Sequence, residues 1–129
     1  MPGPRIIVLD DERAIRRIIA MALSNAGYEV KAFSSGALAL EEVEAFRPTL
    51  FVTDYKMPGS LDGLEVISAL REIETTLDIP IILLTGSVAV MGKLQKELAN
   101  ERKVTVLSKP FSPRSLARLV DDLLEGDNN

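Results

Sequence analysis

Three short runs, Ile6-Ile7-Val8-Leu9, Leu50-Phe51-Val52 and Ile81-Ile82-Leu83-Leu84, are apolar at every position. A strand with no polar face has to be covered on both sides, and that condition is met mainly in parallel sheets flanked by helices. The intervening segments supply the covers. Residues 12–26 bring Ile15, Ile18, Ile19, Ala22, Leu23 and Ala26 together at helical spacing, leave Arg13, Arg16 and Arg17 off that stripe, and stop at Gly27. Ser34 or Ser35 caps a second helix with Ala39, Leu40, Val43 and Phe46 on its inner face, ended by Pro48. Asp62 caps a third, bearing Val66, Leu70, Ile73 and Leu77. Over residues 88–100 a fourth has only a thin stripe of Met91, Leu94 and Leu98. Gly92 inside it costs ~1 kcal/mol relative to alanine. Ser112-Pro113 opens a fifth, with Leu116, Leu119, Val120 and Leu123 inward, and Gly126–Asn129 read as a frayed tail.

Two further strands are mixed in character. Tyr28 to Phe33 alternates, with Tyr28, Val30 and Ala32 on one side, and Val104–Leu107 is interrupted by Thr105. Mixed strands suit sheet edges. The pattern is therefore an α/β (βα)5 sandwich with a five-stranded parallel sheet of order 2-1-3-4-5. Its 129 residues make a single domain, 1–129, with a core over about 5–124.

Composition narrows the chemistry. The chain has no cysteine and no histidine, which excludes thiolate or imidazole metal sites, a Ser-His-Asp triad and an internal phosphohistidine. Fifteen basic against nineteen acidic side chains leave a net charge of −4, a poor match to nucleic acid or an anionic membrane. No apolar stretch is long enough to span a bilayer, and Met1-Pro2-Gly3-Pro4-Arg5 lacks the apolar core of a signal peptide. A cytoplasmic location is expected.

Sites in such sheets lie beyond the carboxyl ends of the strands, beside the switch point between the first and third. Asp10-Asp11 ends the first strand, Asp54 the third and Thr85 the fourth, and Lys109 follows the fifth. Taken singly, these residues are ordinary helix caps, turn formers or solvated charges. Taken together they meet on one rim. Carboxylates gathered there repel one another unless a cation intervenes, and an all-oxygen donor set favours a hard ion such as Mg²⁺. A lysine ammonium and a threonine hydroxyl facing that ion complete a cradle for a phosphoryl group, and a carboxylate can attack phosphorus to give an aspartyl phosphate.

Four motifs in order, Val8-Leu9-Asp10-Asp11-Glu12, Val52-Thr53-Asp54 with Met57-Pro58 and Asp62-Gly63, Leu83-Leu84-Thr85-Gly86, and Ser108-Lys109-Pro110-Phe111, resemble those of response-regulator receiver domains of two-component signalling. The resemblance covers about residues 5–124 and implies a flavodoxin-like fold. It implies that Asp54 is the phosphoacceptor. Asp11 is implied as the direct ligand of Mg²⁺, with Asp10 acting partly through water and the Lys56 backbone carbonyl as a third ligand. Thr85 and Lys109 are implied to bond and pair with the phosphoryl group, and the Lys109-Pro110 peptide to be cis. The implied partners are a histidine kinase or histidine phosphotransfer protein, to which Arg13, Arg16 and Arg17 could offer a docking surface, and a downstream protein at the 86–120 face.

The chain departs from the family pattern in three places. Gly59-Ser60-Leu61 is one residue longer than usual, so the loop is expected to bulge. Val106 stands where the family often has an aromatic residue, which moves any conformational output to the weak helix at 88–100. Lys56 puts a long cation two residues after Asp54, where it is expected to screen or reach the phosphoryl group. Two other functions compete with a phosphorylation-controlled switch. A phosphatase with an aspartyl nucleophile is disfavoured, because related folds place a second acid where Lys56 stands. A phosphorylation-independent interaction module is disfavoured by intact Asp11, Asp54, Thr85 and Lys109.

Overall fold

The structure is a computed structural model and describes residues 3–127. Five strands, β1 (Arg5–Leu9), β2 (Glu29–Phe33), β3 (Leu50–Asp54), β4 (Ile81–Thr85) and β5 (Val104–Ser108), alternate with five helices, α1 (Arg13–Asn25), α2 (Gly36–Phe46), α3 (Gly63–Leu70), α4 (Val88–Glu97) and α5 (Pro113–Asp127). All neighbouring strands pair in parallel, in the order β2-β1-β3-β4-β5. Every residue of β3 and β4 is buried, whereas β2 is largely exposed and β5 half-buried throughout. The all-apolar runs thus occupy the centre and the mixed strands the edges.

The two-residue period of the strands divides the core in two. Ile6, Val8, Leu50, Val52, Ile82 and Leu84 face Ile19 and Leu23 of α1 and Leu116 and Val120 of α5. Ile7, Leu9, Phe51, Ile81 and Leu83 face α2, α3 and Leu94 of α4. Among the described residues, no helix is long and apolar enough to cross a membrane.

Several local expectations are corrected. The third helix stops at Leu70, not near Leu77, and a 3₁₀ turn, Glu74–Thr76, follows. The buried Thr76 hydroxyl donates to the Leu70 carbonyl, while the Arg71 guanidinium donates to the carbonyls of Thr76, Ile79 and Arg102. The first bond takes up a carbonyl freed at the helix end and the Arg71 bonds tie down the segment that follows, so the chain turns there and leaves Leu77 exposed. Ile18, Ala26 and Ala32 are exposed, because they lie at the margins of their apolar faces. The fourth helix ends at Glu97, short of residue 100. The last continues through Gly126 to Asp127, where a frayed tail was expected, and Asn128 and Asn129 lie outside the described residues.

Candidate functional site

At the carboxyl rim the chain must leave each central strand and enter a helix, and the polar residues sit at those exits. Asp10 follows β1 and is fully buried. Its Oδ1 accepts from the Glu12 amide at 2.9 Å, and its backbone carbonyl accepts from Arg16 Nη1 at 2.9 Å. Arg16 is therefore tied to the rim beneath it, while Arg13 and Arg17 stay exposed. Asp11 is exposed and lines a cleft of about 420 Å³, together with Glu12, Asp54, Lys56, Thr85 and Lys109.

Asp54 ends β3 and is 5% exposed. Its Oδ1 accepts from the Tyr55 amide at 2.9 Å. The helix after it can start close by because residue 63 is glycine. The Gly63 amide donates to the Tyr55 carbonyl at 2.8 Å, and a Cβ at Gly63 would stand 2.6 Å from the Asp54 carbonyl oxygen and 2.5 Å from Leu83 Cδ1. Asp62 and Glu65 form a reciprocal capping box at that helix start. The extra loop residue is absorbed in a turn. Gly59 takes φ +78°, the Ser60 amide donates to the Met57 carbonyl, and Ser60 Oγ accepts from the Gly36 amide at 3.4 Å. Lys56 is exposed at the cleft, with its ammonium 5.1 Å from the centroid of the Tyr55 ring.

Thr85 ends β4, buried, with its Oγ1 accepting from the Ser87 amide at 3.2 Å. Lys109 follows β5, and its amide donates to the Thr85 carbonyl at 2.7 Å. The Lys109-Pro110 peptide is cis. The Lys109 ammonium lies 3.2 Å from Asp10 Oδ2, 3.3 Å from Asp54 Oδ2 and 3.6 Å from Glu12 Oε1.

Electrostatics at this rim are unbalanced. Asp10, Asp11, Glu12 and Asp54 can each bring one carboxylate oxygen to within 4.8 Å of the others. Among the described residues Lys109 is the ammonium within ion-pair distance of these four carboxylates, so negative charge is in excess. Burial raises the Asp54 carboxyl from 3.8 to about 6, and the Asp10 charge adds to the rise. Burial likewise raises Asp10, against the Glu12 amide and Lys109. For Lys109 burial acts to lower the pKa, but the charges of Asp10 and Asp54 outweigh it and raise the ammonium above its ordinary value. Such a site favours an added cation. Its donors are all oxygens, which suits a hard divalent ion.

The structure brings Asp11, Asp54, Thr85 and Lys109 to one cleft with Asp10 buried beside them, and Lys56, which the resemblance alone singled out, lines the same cleft. It adds Glu12, which sequence reasoning placed only within a motif. The available signal was the third consecutive acid in Asp10-Asp11-Glu12.

Comparison with known proteins is consistent with this geometry. The family described as "Response regulator receiver domain" matches residues 6–121. The phosphate regulon transcriptional regulatory protein PhoB of Pseudomonas aeruginosa is 40% identical over 121 residues, which are 92% of this chain and 51% of that protein. Response regulator receiver protein CpdR of Brucella abortus is 36% identical over 120 residues, covering 93% of this chain and 96% of that protein. The chain thus spans about half the length of one relative and nearly all of the other. The receiver domain of the sensor histidine kinase PA1611 from Pseudomonas aeruginosa PAO1, solved with a magnesium ion coordinated in its active-site cleft, superposes with a TM-score of 0.81 at 27% identity, covering 95% of this chain and 98% of that one.

Proposed function

This chain belongs to the response regulator receiver domain family, and we propose that it is a phosphorylation-controlled switch whose acceptor is Asp54. The observation that carries the reading is the Lys109 ammonium, held 3.3 Å from the Asp54 carboxylate beside a cation-seeking carboxylate cluster of which Asp10 and Asp54 are buried and Asp11 and Glu12 exposed. A carboxylate with Oδ1 fixed by the Tyr55 amide presents Oδ2 towards the cleft and Lys109. Attack by that oxygen on a phosphoryl donor forms one P–O bond. The bond to the leaving group breaks, and the leaving group departs with the electron pair. From a phosphohistidine the leaving group is the imidazole; from acetyl phosphate it is acetate. Lys109 then pairs with the new phosphoryl oxygens, and the Thr85 hydroxyl lies in the same cleft to donate to them.

Asp11 and Asp54, with Asp10 behind them and the Lys56 carbonyl beside them, would hold Mg²⁺. Bound there, the ion would supply charge neutralisation at the transferring phosphoryl group. The donor is external, a histidine kinase or histidine phosphotransfer protein. The chain is a single receiver domain that assists its own phosphorylation and dephosphorylation, acts in the cytoplasm, and passes the signal to a downstream protein through the 86–120 face. Incubation with acetyl phosphate and Mg²⁺, read by intact mass, should add one phosphoryl group that hydroxylamine removes. Equal labelling of Asp54→Asn would overturn the assignment.

A further inference from the structure

The carboxylate of Glu12 has no evident structural duty. Glu12 is the N-cap residue of α1, yet its side chain makes no capping bond. Its backbone is already held, with the amide donating to Asp10 Oδ1 and the carbonyl accepting from the Arg16 amide. The side chain, 61% exposed, instead reaches back over the rim to within 3.6 Å of the Lys109 ammonium. An ion pair this exposed adds little to the stability of a fold. It lies, however, on the Lys109 ammonium, whose other two carboxylate neighbours are the buried Asp10 and Asp54. A lysine ammonium has three N–H donors and no more. Asp10 and Asp54, at 3.2 and 3.3 Å, lie within hydrogen-bond reach of it, whereas Glu12, at 3.6 Å, lies just beyond that reach and offers its charge alone. Asp10 is anchored by the Glu12 amide and Asp54 by the Tyr55 amide. Glu12 has the longest contact and the greatest exposure, so it is the one free to leave.

We propose that Glu12 is a positioning residue whose charge pairs with Lys109 in the resting site and competes with an incoming phosphoryl group for that ammonium. The inference deepens the reading of Asp54 as acceptor and rests on it. Glu12 then acts as a built-in competitor of the phosphodonor, and it raises the amount of donor needed to engage Lys109.

The test uses the full chain at saturating Mg²⁺, with acetyl phosphate as donor and intact mass as readout. Glu12→Gln keeps the shape and removes the charge. It should lower the apparent KM for acetyl phosphate about two- to fivefold, the range of an exposed ion pair, and change kcat little. Beryllofluoride, titrated by amide NMR, should bind the variant tighter by a similar factor. In a Lys109→Met background, Glu12→Gln should shift neither quantity. An unchanged or higher KM in folded Glu12→Gln overturns the proposal. So does an equal shift in the Lys109→Met background, which would show a general charge effect at the rim. Failure of the wild type to be labelled at Asp54 would instead overturn the acceptor assignment itself.

Discussion

Replacing Asp54 by asparagine should make the metal-free protein more stable. The carboxylate is 5% exposed, and burial together with the Asp10 charge raises its pKa from 3.8 to about 6. A folded-state pKa above the unfolded value means that the folded chain binds the proton more tightly. Stability is then greatest at low pH, falls as pH rises between about 4 and 6, and stays reduced above that window. At about 1.4 kcal/mol per pH unit the ceiling is about 3 kcal/mol. Asparagine removes that charge but also deprives Lys109 of one partner, so the net gain is about 1–2 kcal/mol, or a rise in Tm of roughly 3–10 °C in a domain of this size. The assay is thermal unfolding followed by circular dichroism, with EDTA, at pH 4 and at pH 7.5, for wild type and Asp54→Asn. The two should melt together at pH 4 and diverge at pH 7.5, with asparagine higher. Millimolar Mg²⁺ should raise the wild type preferentially and close the gap. A variant no more stable than wild type at pH 7.5 without metal would refute the claim that the Asp54 charge is an uncompensated cost.

Other outcomes follow from the same geometry. Lys109→Ala leaves Asp10 and Asp54 buried without their ammonium, so the variant should stay folded but lose stability at neutral pH in EDTA, and accept phosphoryl groups more slowly from acetyl phosphate; wild-type melting and labelling would contradict this. Gly63→Ala drives a methyl against the Asp54 carbonyl and Leu83, and urea unfolding should show a loss of about 1–3 kcal/mol. Gly92→Ala meets no atom within 4 Å and should stabilise the protein by up to ~1 kcal/mol. If α4 reorders on activation, with Leu94 as its only buried residue, hydrogen exchange should change over 86–100 when beryllofluoride binds. Changes confined to 10–12 and 54–62 would exclude that route of output.

Much of the fold was legible because β1, β3 and β4 are apolar at nearly every position, and only a doubly covered sheet accommodates such strands. Their polar exits, Asp10, Asp54 and Thr85, were legible for the same reason: a parallel sheet brings all its carboxyl ends to one rim. What sequence periodicity missed depends on contacts distant in the chain. The third helix continues in pattern to Leu77, but Thr76 and Arg71 bond the carbonyls of Leu70, Ile79 and Arg102 and end it early. Arg16 looks like its solvated neighbours Arg13 and Arg17 until the turn after β1 brings the Asp10 carbonyl to it. Glu12 read as one more acid beside a pair, because its approach to Lys109 spans almost the whole chain.

The central claim is that one carboxylate among four neighbours, Asp54, takes the phosphoryl group. Borohydride reduces an aspartyl phosphate to homoserine, which leaves a stable mark at the acceptor. After labelling with acetyl phosphate and Mg²⁺, reduction and tandem mass spectrometry of the peptides should place homoserine at position 54 and leave Asp10, Asp11 and Glu12 intact. Homoserine at Asp10 or Asp11, with position 54 unmodified, would contradict the account.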